Sequence, residues 1–276
     1  MTTSIGSDWL ATLCRARAEF ALPRRAHERA AAFADQLLAF LFPHFAPEVH
    51  AGSEDVTREA SRLRADAQSL IGAFVGDGGA VTQTEAFLDA LPALREELLA
   101  DAGYLVASDP AATSEDEVIL AYPGFLATAC YRIAHLLRGL GIPLLPRLVT
   151  EHAHQRTGID IHPGARIGVP FAIDHGTGIV IGESADIGAR VRMYQGVTLG
   201  ALSVEKALAS AKRHPTIEDD VVLYANATVL GGRTVVGAGS VIGGNVWLTR
   251  SVPPRSVVVH KAMEERIADD GLEVRI

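Results

Sequence analysis

An aliphatic residue returns at nearly every sixth position between Ile161 and Val252. A period of six fits neither an α-helix, which repeats every 3.6 residues, nor a simple strand, which repeats every two. It fits a repeat architecture in which three six-residue sides close one triangular coil and each aliphatic side chain points inward. The positions that carry the period are Ile161, Ile167, Ile173, Ile181, Ile187, Met193, Leu199, Ile217, Leu223, Val229, Val236, Ile242 and Leu248. We therefore predict a hexapeptide-type parallel β-helix over residues 158–258.

Residues 1–157 carry a different pattern and are predicted to form an α-helical N-terminal domain. Apolar residues recur three and four apart over residues 9–20, 33–42 and 85–99. Pro92 and the pair Pro123-Gly124 predict helix boundaries or kinks. Ser114 is a candidate helix N-cap because acidic residues follow it, and Gly158 is predicted to end the last helix. Residues 259–276 are predicted to be a charged C-terminal tail.

Composition narrows the classes of protein to consider. The chain has 276 residues and a net charge of -8, and it contains no run of five like charges. The sequence therefore lacks the cluster of basic residues that indicates nucleic-acid binding. The first residues lack the apolar core of a signal peptide, and the longest apolar runs are shorter than the ~20 residues that span a bilayer. Its two cysteines make no disulfide framework. We therefore expect a cytoplasmic protein.

Charged residues interrupt the apolar and glycine-rich pattern of the β-helix at Asp160, His162, Asp174, His175, Arg213 and His214. Asp160 precedes His175 by fifteen positions, which places it near His175 if a coil has about eighteen residues. A carboxylate beside an imidazole is the arrangement of a general base. Two solvated turn residues are the alternative interpretation. Arg213 and His214 end a polar insert after Gly200, which is predicted to be a loop that leaves the coil.

Four segments resemble a known family: TGIDIHPGARIG (157–168), IDHGTGIVIGE (173–183), YQGVTLGA (194–201) and KRHPTIED (212–219). They are similar to the serine O-acetyltransferases of cysteine biosynthesis. The similarity extends upstream through Asp109-Pro110 and YPGFLATACYRIAHLL (122–137). It implies a left-handed β-helix behind a helical domain. It also implies transfer of the acetyl group of acetyl-CoA to the hydroxyl of L-serine, with no metal and no acyl-enzyme.

The resemblance assigns the reacting groups. His175 is expected to be the catalytic base, and Asp160 its partner carboxylate. Asp109 and Asp174 are expected to receive the ammonium group of serine. A guanidinium suits the planar substrate carboxylate, and Arg213 is expected to bind it.

The remaining expected site residues lie around the insert. His214 is expected near the substrate, contributed across a subunit boundary. Gly200 and Ala201 are expected to line the coenzyme A groove. Here the chain departs from the family, because Ala201 replaces a commoner glycine and the insert before Arg213 is longer than in the best-known members.

The resemblance also implies partners. A homotrimer or a dimer of trimers is expected, with L-cysteine as feedback inhibitor. A complex with cysteine synthase through a C-terminal isoleucine is also expected, and that residue is Ile276 here.

Three alternatives stay open. An O-acetyltransferase of the same fold could act on homoserine or a sugar, although two acidic residues with Arg213 suit an amino acid better. A γ carbonic anhydrase-like zinc enzyme needs two histidines five positions apart on one coil, and no pair of histidines from the β-helix onward has that spacing. A purely structural solenoid would have no use for Asp160 and His175.

Overall fold

The computed structural model describes residues 6–49, 51–202 and 211–259. Within these residues, eight α-helices and one short 3-10 turn precede the strands. The helices are α1 (Ser7–Glu19), α2 (Ala26–Leu41), α3 (Ser53–Val75), α4 (Asp77–Asp89), α5 (Leu91–Ser108), α6 (Glu115–Ala121), α7 (Pro123–Gly139) and α8 (Leu145–Thr157), and the turn is Pro43–Phe45. None of these helices combines the length and the apolar character that crossing a bilayer requires.

The predicted helix boundaries are confirmed. Pro92 lies in the first turn of α5, where its missing N–H costs nothing. Pro123 begins α7, so the break falls between two helices rather than inside one. The Ser114 hydroxyl accepts a hydrogen bond from the backbone N–H of Glu117 at 3.1 Å, as an N-cap does. Gly158 ends α8 in the left-handed region, with φ 71°.

The predicted left-handed β-helix is confirmed, with about five turns. Its described strands are β1 (Asp160–Ile161), β2 (Arg166–Ile167), β3 (Phe171–Ile173), β4 (Val180–Ile181), β5 (Asp186–Ile187), β6 (Val191–Met193), β7 (Thr198–Gly200), β8 (Thr216–Ile217), β9 (Val222–Leu223), β10 (Thr228–Leu230), β11 (Val235–Val236), β12 (Val241–Ile242), β13 (Trp247–Leu248) and β14 (Val257–Val258). They form three parallel sheets. Sheet A has the order β1-β4-β7-β10-β13, sheet B β11-β8-β5-β2 and sheet C β14-β12-β9-β6-β3.

The aliphatic side chains of the six-residue period fill the interior of the β-helix, but the coils are not uniform in length. Ile161 pairs with Ile181, twenty positions later, whereas Ile181 pairs with Leu199, eighteen positions later. The two additional residues lie in the turn before β4. Ile179 therefore takes the inward position there and is fully buried, while Thr177, which the period places inside, is exposed.

The helical half packs on sheet C through α5 and α7. A Cβ built on Gly124 would lie 2.1 Å from the backbone oxygen of Ile173, so only glycine lets α7 approach the end of β3. Beside it, Arg132 and Asp101 form a buried ion pair with Nε and Oδ2 2.6 Å apart. Asp101 also accepts from the backbone N–H of Phe171 at 2.8 Å. These contacts fix the helices against the strand that leads into Asp174 and His175.

Candidate active site

The turn that follows β3 presents Asp174 and His175 at the edge between sheets C and A, called here the C–A edge. Asp174 Oδ1 lies 3.8 Å from His175 Nδ1, and the His175 side chain is 70% exposed. His175 has φ 58°, and Gly176 and Gly178 follow with φ 84° and 83°. This run of left-handed residues turns the imidazole outward, where a substrate can reach it.

The helical half contributes Asp109 to the same edge. Tyr122 Oη donates a hydrogen bond to Asp109 Oδ2 at 2.6 Å, and the backbone N–H of Ala111 donates to Oδ1 at 2.9 Å. These two hydrogen bonds hold the pKa of Asp109 below its ordinary value, and the nearby charges of His175 and Arg192 act in the same direction. The structure therefore brings Asp109 into the neighbourhood of His175.

Asp160 begins β1, where it pairs with Val180 of the next coil, and its carboxylate has a partner other than His175. Its backbone N–H donates to the carbonyl of Ile179 at 2.9 Å, and its carboxylate accepts from Arg147 Nη1 at 3.3 Å. Within the described residues, no hydrogen bond or ion pair joins Asp160 to His175. The partner of the Asp160 carboxylate in this structure is Arg147 on α8, and the pairing of Asp160 with His175 stays a prediction.

Arg147 also contacts a cluster of side chains whose residue types could bind a metal ion. Potential ligand atoms of Glu151, His154 and Asp160 lie within 4.8 Å of one another. The two carboxylates are already paired with one guanidinium, since Arg147 Nη2 lies 2.5 Å from Glu151 Oε1 and Nη1 lies 3.3 Å from Asp160. A fixed positive charge there opposes a divalent cation. We interpret the group as an ion-pair network.

His214 lies on the other side of sheet A, at the edge between sheets A and B, called here the A–B edge. Its Nδ1 accepts from the backbone N–H of Ser184 at 3.1 Å, so the proton of the neutral ring is assigned to Nε2. Burial, followed by the charge of Arg213, lowers the pKa of His214 to about 4. A Cβ built on Gly182 would lie 2.0 Å from the ring carbon Cδ2, so the imidazole rests directly on that glycine.

Arg213 is held at the same A–B edge by Glu183. Arg213 Nη2 lies 2.5 Å from Glu183 Oε2, and Arg138 Nη2 approaches the same carboxylate at 3.2 Å. Burial alone would raise the pKa of Glu183, but the hydrogen bond from Arg213 and the surrounding cationic charge hold the pKa below its ordinary value. Glu183 aims the guanidinium and leaves it partly exposed.

The predicted site residues thus fall into two groups on opposite edges of sheet A. One side of six residues spans roughly 15–20 Å, which is more than a serine molecule can bridge. Gly200 ends β7 on sheet A and Ala201 follows it at the A–B edge. Residues 203–210 of the insert and Ile276 lie outside the described residues, so the expected role of Ile276 in binding cysteine synthase stays a prediction. Binding with and without Ile276 would test it.

Sequence reasoning missed the side chains that hold these groups, namely Tyr122, Arg147, Glu183 and Ser184. Glu183 and Ser184 directly follow the Ile181-Gly182 step of the period, at a corner. A pair of polar residues at a corner of the β-helix could have marked Glu183 and Ser184 as candidates for the site. Tyr122 lies between α6 and α7, and Arg147 lies in α8. Nothing in the apolar periodicity separates either of them from ordinary surface residues.

Comparisons with known proteins identify the family to which the chain belongs. No protein-family model matches the chain. Over 195 residues it is 55% identical to the "Serine acetyltransferase, plasmid" of Synechococcus elongatus, which covers 69% of this chain and 60% of that protein. The crystal structure of Entamoeba histolytica serine acetyltransferase 1 in complex with L-cysteine matches with a TM-score of 0.75 and 36% identity, over 82% of this chain and 86% of that one. The chain belongs to the serine acetyltransferase family.

A further serine acetyltransferase, from Neisseria gonorrhoeae and in complex with serine, matches with a TM-score of 0.59 and 26% identity. That match covers 86% of this chain and 93% of the Neisseria chain. The matches to solved serine acetyltransferases therefore include both the helical half and the β-helix. The alignment with the Synechococcus protein spans less than two thirds of that protein's own length.

Proposed function

We propose that the protein transfers the acetyl group of acetyl-CoA to the hydroxyl of L-serine, giving O-acetyl-L-serine and CoA. The observation that carries this proposal is the division of complementary groups between the two edges of sheet A. Two carboxylates and an exposed imidazole lie on the C–A edge, and a guanidinium and a neutral histidine lie on the A–B edge. Together they match the ammonium, hydroxyl and carboxylate groups of an amino acid.

The division also supports a homotrimer, alone or as a dimer of trimers. In a ring of three copies, the C–A edge of one subunit can face the A–B edge of the next. The outward positions of sheet A favour such a contact, since β4, β7, β10 and β13 carry no charged residue. Val180, Thr198, Thr228 and Trp247 form one outward column on this face, and Trp247 is 66% exposed. Sheet B, in contrast, carries the charged pair of Arg166 and Asp186 on its outer face.

The chemistry follows from the side chains. Serine's hydroxyl is a weak nucleophile at neutral pH, so His175 would take its proton as the oxygen attacks the acetyl carbonyl carbon. The C–S bond then breaks, and CoA leaves as the thiolate. Asp109 and Asp174 would bind the ammonium group, and Arg213 of the neighbouring subunit would bind the carboxylate.

His214 of the neighbouring subunit would present its Nε2–H to the bound amino acid. Acetyl-CoA is a co-substrate in this scheme and would lie in the groove beside Gly200 and Ala201. Asp160 stays the predicted partner of His175, which requires its carboxylate to turn from Arg147 towards the imidazole once the site is assembled.

The same groups support regulation by L-cysteine. Cysteine carries the ammonium and carboxylate groups of serine and differs only in its thiol, so it would compete for Asp109, Asp174 and Arg213. The related Entamoeba structure contains L-cysteine.

Release of CoA thiol in the presence of acetyl-CoA and L-serine tests the proposed reaction. We expect turnover with serine, and we expect His175→Ala to lower kcat by at least 100-fold, the lower range for loss of a general base. A wild-type rate in His175→Ala would refute the mechanism. Turnover with homoserine or a sugar but not with serine would refute the substrate.

A further inference from the structure

Asp109 is the one proposed substrate-binding residue that comes from the helical half rather than from the β-helix. It directly follows α5, in a loop, and must be held in place across the boundary between the two halves. The Arg192 guanidinium donates to the carbonyl of Ser108 and so ties the backbone beside Asp109 to β6. That contact places the loop but does not orient the carboxylate.

Tyr122 orients the carboxylate directly. Its Oη lies 2.6 Å from Asp109 Oδ2, while the backbone N–H of Ala111 takes the other oxygen. With one donor on each oxygen, the carboxylate plane is fixed, and the remaining lone pairs stay available for a cation.

The position of Tyr122 is itself fixed by the fold. The residue is half-buried, and its ring packs against the core of the helical half. It caps α7, because its carbonyl accepts from the N–H of Phe125 at 3.1 Å, and its own N–H donates to Val118 at 3.1 Å. Two residues later, Gly124 contacts Ile173 at the end of β3. Tyr122 is thus locked relative to the turn that carries His175.

We infer that Tyr122 is a positioning residue that aims the Asp109 carboxylate at the ammonium group of the acceptor and thereby makes the site selective for amino acids. The inference rests on the proposed function. The hydrogen bond to Asp109 raises the pKa of Tyr122 to about 12, so the phenol stays a donor throughout the working pH range.

Beyond Tyr122, the titratable neighbours of Asp109 in the described structure include His175, Arg192 and Tyr194 from the β-helix and Glu117 from α6. None of them donates a hydrogen bond to the Asp109 carboxylate within the described residues. Removal of the Tyr122 hydroxyl is therefore expected to change the orientation of the Asp109 carboxylate.

The test replaces Tyr122 by phenylalanine, which keeps the ring and removes the hydroxyl. We expect the KM for serine to rise about five- to tenfold, with kcat within about threefold of wild type, because a hydrogen bond to a charged group is lost. The KM for acetyl-CoA should stay within about twofold. Glycerate, in which a hydroxyl replaces the ammonium group of serine, serves as a competitive inhibitor, and its KI should change less than about twofold.

Tyr104→Phe is the matched control. Tyr104 Oη donates to the carbonyl of Arg190 at 2.6 Å, so this change removes a tyrosine hydrogen bond between the helical half and the β-helix without touching Asp109. It should leave both the KM for serine and the KI of glycerate unchanged. A double variant adds a second check, because Tyr122→Phe should have less than a twofold effect once Asp109→Asn has removed the charge.

The outcomes separate the possibilities. If wild-type protein does not acetylate serine, the proposed function fails. If it does, an unchanged KM for serine in Tyr122→Phe overturns only the inference about Tyr122. Equal weakening of serine and glycerate, or the same loss in Tyr104→Phe, would assign Tyr122 a merely structural role and would also overturn it. A full additional loss on top of Asp109→Asn would do the same.

Discussion

At the scale of single residues, the protonation state of His214 follows from one hydrogen bond, which its Nδ1 accepts from the backbone N–H of Ser184. A ring nitrogen that accepts from a backbone N–H cannot take a proton without losing that hydrogen bond, and burial opposes the charge as well. The sequence marks His214 as unusual, since a charged pair interrupts the β-helix there. It does not predict the tautomer, because Ser184 lies thirty positions away and the contact depends on how the insert returns to the coil.

Protonation of His214 should cost stability in acid. The pKa of His214 is about 4 in the folded chain and about 6.5 in the unfolded chain, so the unfolded state binds more protons between these values. The contribution of His214 is fully present above pH 6.5 and is lost as pH falls towards 4. Urea unfolding at fixed protein concentration should show a loss on the order of 1–2 kcal/mol between pH 7 and pH 5 that His214→Gln lacks.

The control for this measurement is the wild-type protein, unfolded in parallel at the same two pH values and the same protein concentration. The same loss between pH 7 and pH 5 in His214→Gln as in wild type would contradict the assignment of a neutral His214.

At the scale of elements, the repeating part of the fold follows from sequence and its exceptions do not. Ile161, Ile181 and Leu199 stack in register as the period predicts. The period assumes a constant coil, however, so it misplaces Thr177. The cause is the two additional residues in the turn that carries His175. A departure from the period therefore marks the site, although the period alone cannot give the geometry of that site.

The contact between the halves is a second element-scale feature that sequence does not reveal. Asp101 and Arg132 lie in helices where charged residues are usually solvated, yet their side chains are only 3% and 5% exposed. Burial raises the pKa of Asp101 despite the hydrogen bond from Arg132. Such a pair adds little net stability when intact, but it is costly to break, because removal of one partner leaves a buried charge unpaired.

Asp101→Ala should therefore destabilise the protein by about 3–5 kcal/mol in urea unfolding. Replacing both Asp101 and Arg132 by leucine should restore part of that loss. Asp220→Asn is the matched control, since the Asp220–Arg190 pair is about half exposed and its loss should destabilise the protein far less than Asp101→Ala does. A loss below 1 kcal/mol in Asp101→Ala would contradict a structural role for the buried pair.

At the scale of the whole molecule, the proposed function needs groups from more than one chain. The groups proposed to hold the ammonium and carboxylate ends of serine are separated by the full width of sheet A. Sequence similarity predicts the residues, but only the sheet order places them on different edges. Neither edge alone holds both a base and a carboxylate-binding guanidinium among the described residues. In the proposed function, the catalytic unit is therefore the junction between two copies.

Two inactive variants should rescue each other if this is correct. His175→Ala damages the C–A edge and leaves the A–B edge intact, whereas Arg213→Ala does the reverse. In mixed trimers, random assortment places an intact C–A edge against an intact A–B edge at about one quarter of the junctions. Unfolding and refolding an equal mixture should therefore recover about a quarter of the wild-type thiol-release activity, while each variant refolded alone stays inactive. Because a site within one chain would need both residues in the same copy, an inactive mixture that still forms trimers would place the whole site within single subunits.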